Sequence, residues 1–238
     1  MDNYIQLYNN MYNKERKIFK SRENTDNKNT REKISFDSIF WIYYYLIYDK
    51  NNYILNNKNF KLKKDILYKK IENIHNFKHI FQLNSYYKKN KIIENLSNDD
   101  DISLMTFSYL CDIEDIIFIV NNNSFFYTNY PRFDLNLDLI NDEITKIVKK
   151  YVIIDEINEK IINVTENELK EEIDKCKQKY IYVKNPQKIL YSESNYKVNE
   201  IYDLADKLNI SYNLKSKKSQ LYKLLKEKIK QSLYFQLI

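Results

Sequence analysis

The sequence predicts an α+β fold: a mixed helical and β front domain followed by a small helix-loop-helix module at the C-terminus. Three observations predict it. Apolar residues recur at helical spacing through the first half of the chain, while compact β-branched and aromatic runs begin only at Ile116. Two short amphipathic stretches joined by a polar loop close the chain. The basic excess lies in that same quarter: residues 177–238 hold thirteen lysines against five carboxylates, +8, and residues 1–176 hold 26 basic against 28 acidic side chains, −2. The formal charge of +6 is therefore a property of the tail, and it points to a polyanionic partner there.

The elements follow in order. Ile5, Tyr8, Met11, Tyr12, Ile18 and Phe19 give a patchy helical pattern over residues 3–20, and SRENTDNKNTREK at 21–33, with no apolar residue, reads as a mobile connection. Asp37 or Ser38 supplies an oxygen to cap a helix running to Tyr48, apolar nearly all round and so placed at the centre of the core. Phe60, Leu67, Ile71, Ile74 and Phe81 continue the helical spacing, and a further helix covers Tyr86 to Leu96. Asp99, Asp100 and Asp101 stand before Ile102, Leu104, Phe107 and Leu110, where carboxylates cap free amides and oppose the helix dipole. Ile116–Val120 and Ser124–Tyr127 read as a hairpin turned by Asn121, Asn122 and Asn123, because Asn tolerates the left-handed region. Tyr151–Ile154 and Tyr180–Val183 supply two more strands, and Thr165 with Glu168 forms a capping box for a helix to about Cys176. The expected divisions are an arm and linker over 1–33, the α+β domain over 34–184 and the helical module over 185–238.

Composition excludes more than it suggests. The chain has no glycine, so phosphate-binding loops, dinucleotide fingerprints and nucleophile elbows in standard form are ruled out. Cys111 and Cys176 stand far apart without a metal-ligand grouping and read as reduced thiols; no metal and no cofactor is expected. His75 and His79 are four apart and would share a helix face, but a third ligand is missing. Asp155 and Glu156 after a strand read as a strand-end turn. The N-terminus carries no signal-peptide pattern, and the run from Ile39 to Tyr48 is too short for a bilayer. The expectation is an intracellular protein with no membrane partner.

In the tail, Tyr196–Ile210 is an amphipathic helix with Val198, Ile201, Ala205 and Leu208 on one stripe, and Ala205 is the chain's single alanine. After the loop 211–216, a second helix carries Leu221, Leu224, Leu225 and Ile229, with Ile210 and Leu214 plugging the gap between the two. Val198-x-Glu200-Ile201-x-x-Leu204-Ala205-x-x-Leu208-x-Ile210, then Lys217-Lys218-Ser219-Gln220-Leu221 through Ile229, resembles the SAP motif and the N-terminal module of Rho termination factor over about 35 residues. The resemblance implies nucleic-acid binding, DNA ahead of RNA, with Lys215, Lys217 and Lys218 on phosphates and Lys223 assisting. The loop departs from that family in lacking its glycines. Lysines at a helix start suit phosphate on physical grounds too, since they add charge to amides that already favour anions; such contacts position a protein without reading bases. The alternative is a solvated helical hairpin that docks on a protein.

The front domain carries a second resemblance. Residues 35–45 and 104–120, with Asn185-Pro186-Gln187-Lys188 leading into the tail, resemble uncharacterised proteins of large nucleocytoplasmic DNA viruses. The first two blocks are also similar to the papain-like core of OTU-type cysteine peptidases, whose central helix opens with the nucleophilic thiol. Here no cysteine lies between Ile34 and Tyr48 and no histidine follows the Ile116–Val120 strand, so catalytic residues are absent and Cys111 reads as a core thiol. The resulting expectation is a non-enzymatic, nucleic-acid-associated accessory or virion protein, located in host cytoplasm, viral factory or virion, with possible protein partners. A degenerate peptidase-like enzyme is the remote alternative.

Overall fold

The computed structural model describes residues 32–33, 38–83, 86–98, 101–122, 124–130, 148–155, 160–185, 188–213 and 216–232. The helix expected over 3–20, Asp99, Asp100, Leu214 and Lys215 lie outside them. The helices are α1 (Ile39–Asn56), α2 (Phe60–Glu72), α3 (Lys78–Leu83), α4 (Lys89–Ser97), α5 (Leu104–Ile113), α6 (Glu166–Lys179), α7 (Val198–Lys207) and α8 (Lys218–Ser232). The strands are β1 (Glu32–Lys33), β2 (Ile116–Asn121), β3 (Phe125–Thr128), β4 (Lys150–Asp155), β5 (Lys160–Val164) and β6 (Ile181–Tyr182). They form one sheet in the order β1-β5-β4-β2-β3-β6. Pairing is antiparallel for β1/β5, β5/β4 and β2/β3, and parallel for β4/β2 and β3/β6, so the sheet is mixed.

Alternation along the strands sends residues to two cores. Ile116, Phe118 and Val120 of β2, Phe125 and Tyr127 of β3, and Val152 and Ile154 of β4 join the larger cluster with α1 and α5. Ile119 and Phe126 turn the other way onto Leu169, Ile173 and Cys176 of α6. The sheet is therefore covered on both faces. Ile201, Ala205, Leu208, Leu221, Leu225 and Ile229 of the tail helices belong to the same large cluster as the front helices, and Arg31–Ile238 form one compact unit.

Several expectations are corrected by this geometry. Helix α1 runs past Tyr48 to Asn56; its first two turns lie in the core, and beyond them Tyr53 is buried there too. Ser38 sits at its N-cap without using its side chain; the cap comes from 62 residues away, where Asp101 Oδ2 accepts from Ile39 N at 2.6 Å and Oδ1 from Phe40 N at 3.2 Å. Asp101 thus caps α1, while Ser103 caps α5 by accepting from Thr106 N. The β2–β3 hairpin is held by the Asn122 carboxamide, whose oxygen accepts from Ser124 N and Phe125 N, while Asn123 lies outside the described residues. Glu32–Lys33, placed in a mobile connection by composition, pairs with β5, and β5 itself was not anticipated. The Thr165–Glu168 capping box forms as read, Glu168 Oε2 accepting from Thr165 N at 2.7 Å. His75 lies on a 3-10 turn and His79 on α3, which follows it directly, and both are exposed.

Candidate nucleic-acid interface

The tail is a packed helix-loop-helix. Ile201, Ala205 and Leu208 from α7 meet Leu221, Leu225 and Ile229 from α8, all at most 5% exposed. The single alanine sits where the two helices converge, because a larger side chain would hold them apart. Without glycine, α7 ends in a Schellman arrangement built on Asn209: its φ is 52°, its N–H donates to Asp206 O at 3.0 Å, and Ile210 N–H donates to Ala205 O at 2.9 Å. Asn209 thus makes the turn that ends α7 without glycine. Ile210 is half-buried against the core, as a plug between the helices requires.

Polar contacts fasten the pair to its surroundings. Lys207 Nζ donates to Lys177 O at 2.7 Å and Tyr180 O at 3.2 Å, the free carbonyls at the end of α6, where a cation is favoured by the helix dipole; burial lowers its pKa. Tyr222 Oη donates to Tyr191 O at 2.6 Å. The rings of Tyr202 and Tyr212 stack at 5.1 Å, and Tyr212 Oη donates to Asp206. Among the described residues, Tyr202, Tyr212 and Tyr222 of the tail are thus engaged within the fold.

Lys217 is exposed at the entry to α8, Lys218 is half-buried in its first turn, and Lys223 is exposed farther along. Among the described residues no carboxylate pairs with Lys217, Lys218, Lys223 or Lys226. At about 100° per residue, Lys218 and Lys223 project about 140° apart, whereas Lys223 and Lys226 lie within about 60°. The expected residues therefore fall into two groups, an entry pair and an outward stripe that adds Lys226, a residue the sequence reading did not single out.

Helix starts in this protein differ in an informative way. α6 opens with Glu166 and Glu168, and α7 with Glu200, whose carboxylate accepts from Lys197 N at 2.5 Å. α8 opens with lysines and no acidic residue in its first turn, as do α2 and α4. A cation near the positive end of a helix costs roughly 0.3–1 kcal/mol until an anion arrives.

Two other polar clusters stand in the front domain. At the start of α1 are Ser38, Asp101 and Lys63; Asp101 is spent on capping, and Lys63 lies 3.8 Å from it and 5.5 Å from the centre of the Phe40 ring. The Ser38 hydroxyl is buried without a hydrogen-bond partner. Between α4, α5 and β3, Tyr87 Oη donates to Asp112 Oδ2 at 2.6 Å and contacts Ser108 Oγ at 2.7 Å, which in turn meets Tyr127 Oη at 2.7 Å; Tyr86 Oη joins at 2.8 Å. Burial first, and the Asp112 charge after it, hold the Tyr87 phenol well above its ordinary pKa, so it stays neutral and serves as a donor rather than a base. Asn129 bridges Asp112 to the backbone of β2, completing a network that ties three elements together. Cys111 is wholly buried and its thiol is pushed up in the same way, which denies it the thiolate form.

Among the described residues no group of three metal-ligating side chains converges, and no helix is long and apolar enough to cross a membrane. No family model matches the sequence, and neither a curated protein nor a solved structure matches the chain.

Proposed function

We propose that the protein is a non-enzymatic nucleic-acid-binding accessory protein that holds DNA through α7 and α8. The observation that carries this reading is the start of α8. The same chain begins α6 and α7 with glutamates, yet places Lys217 and Lys218 at the positive end of α8, with Lys223 and Lys226 beyond them and no carboxylate partner among the described residues. That arrangement sacrifices local stability and gains it back when a phosphate lies across the helix start. The contacts involve charge and backbone amides, so binding is salt-sensitive and tolerant of sequence.

The test is a fluorescence titration of labelled duplex DNA with the intact chain and with a Lys217→Ala/Lys218→Ala/Lys223→Ala variant. The reading requires the variant to bind at least about tenfold more weakly at low salt, since each lost phosphate contact removes a released counterion. Equal binding by the two proteins removes the tail from the account.

One observation favours a second reading, docking on a protein: Val198 and Leu224 are exposed on the tail helices, at 46% and 44%. Under that reading a Val198→Ser/Leu224→Ser variant loses its partner while the lysine variant keeps it.

A further inference from the structure

A second basic stretch lies in the front domain, hidden in the sequence by acidic residues elsewhere. Residues 58–97 hold ten lysines against three carboxylates, +7, of which Lys63 and Lys70 pair with Asp101 and Glu114 from outside the stretch. Within it, α2 and α4 enclose a groove of about 260 Å³ whose lining includes Phe60, Lys64, Leu67 and Tyr68 from α2 and Leu96 and Ser97 from α4. Leu67 and Leu96 are buried and form its apolar floor. Phe60 and Tyr68 are 70% and 52% exposed, large for aromatic rings, and together with Lys64 they follow an i, i+4, i+8 spacing on one side of α2.

We propose that this groove binds single-stranded nucleic acid, with bases stacked on Phe60 and Tyr68 and phosphates held by Lys61 and Lys64. The rings are about 12 Å apart along the helix axis, eight residues at the helical rise, so they serve as two platforms and not as a clamp on one base. Lys64 stands between them, and Lys61 extends the basic edge at the start of a helix with no acidic residue in its first turn. Lys63 is excluded from the role: it is 7% exposed and turned toward Asp101 and the Phe40 ring. Exposed rings among lysines distinguish the occupant. A protein groove-binder needs apolar contact without the cations, and a duplex keeps its base faces stacked internally, whereas a single strand offers both faces and phosphates. The groove stands independently of the tail reading.

The test uses the full chain and a fluorescein-labelled oligothymidylate, read by anisotropy, beside the labelled duplex. A Phe60→Ala/Tyr68→Ala variant binds the oligothymidylate at least about tenfold more weakly, the loss of stacking at two bases, with duplex binding unchanged. A Lys61→Glu/Lys64→Glu variant loses the oligothymidylate to a similar degree with both rings in place, and decides the matter if the ring variant does not fold. If the intact chain leaves oligothymidylate free, or if both variants bind it as the intact chain does, the groove is not a single-strand site. Loss of duplex binding in the tail-lysine variant alone bears on the tail and leaves this inference untouched.

Discussion

The tail pair and the α2–α4 block carry nearly equal positive excess, +8 and +7, yet they present it differently. In the tail, Tyr202, Tyr212 and Tyr222 are turned to one another, to Asp206 or to a backbone carbonyl, and among the described residues the α8 lysines have no exposed ring beside them. On α2, Phe60 and Tyr68 stand exposed on either side of Lys64. Charge alone selects a polyanion; an exposed ring beside it selects one whose bases are accessible. Net charge summed over a domain misses the distinction, and here it missed the second surface altogether.

The sharpest way to break the comparison is charge reversal at the start of α8. A Lys217→Glu/Lys218→Glu variant loses roughly 10–100-fold in duplex affinity, by losing two phosphate contacts and adding repulsion, and changes oligothymidylate binding less. The same variant melts at a higher temperature, because carboxylates at a helix start are worth about 0.3–1 kcal/mol each. Opposite signs for binding and stability are the signature of lysines kept for a ligand; a fall in both measured by titration and calorimetry contradicts it.

The next effect falls on the front block. Asp101→Ala removes the acceptor for two amides at the start of α1 and the ion pair to Lys63, and costs about 1–3 kcal/mol in urea unfolding. Tyr87→Phe, which takes one partner each from Asp112 and Ser108 and leaves them Asn129 and Tyr127, costs about 1–2 kcal/mol by the same measurement. Loss of single-strand binding with retained duplex binding in either variant sharpens the assignment of the two surfaces.

A smaller effect appears on acidification. The Glu166 carboxylate at the start of α6 is held below its ordinary pKa by the hydrogen bond from Lys170, with Tyr130 and Tyr151 adding to it against the opposing cost of burial. A depressed folded-state pKa gives stability that is complete above the ordinary carboxylate range and is lost as pH falls through the folded value. Glu166→Gln therefore lowers the neutral plateau of a melting-temperature profile and flattens its acid limb; an unchanged plateau and limb mean the contacts to Lys170, Tyr130 and Tyr151 carry no net stabilisation. The smallest effect is Asn209→Gly, within a few tenths of a kcal/mol in urea unfolding, because glycine also accepts the left-handed backbone. Asn209→Val, by contrast, costs about 1–2 kcal/mol at the same place.

Legibility in the sequence followed locality. The α6 capping box, the Ile116 strand and the helix-loop-helix tail rest on residues close in sequence, and each formed where the pattern placed it, within a few residues at its ends. What escaped involved distance or context. Asp101 was read as the cap of the helix that follows it, since nothing in the spacing shows that it reaches back to Ile39. Lys160–Val164 lies among charged residues and becomes a strand only because β4 and β1 pair with it. Phe60 entered only as one residue of a helical spacing, and nothing in that spacing shows that in the first turn of α2 it stands exposed. Lys226 is missing from the expected site because the SAP resemblance emphasises the helix start and not the outward stripe. Lys215 lies outside the described residues.

The central claim is that the α8 lysines neutralise phosphates, and the salt dependence of duplex affinity measures it most directly. Each phosphate contact contributes about 0.9 to the slope of log affinity against log salt concentration. The intact chain should give a steep negative slope, and Lys217→Ala/Lys218→Ala/Lys223→Ala should flatten it by about 2–3. A slope unchanged by the three substitutions would place the DNA elsewhere and contradict the account.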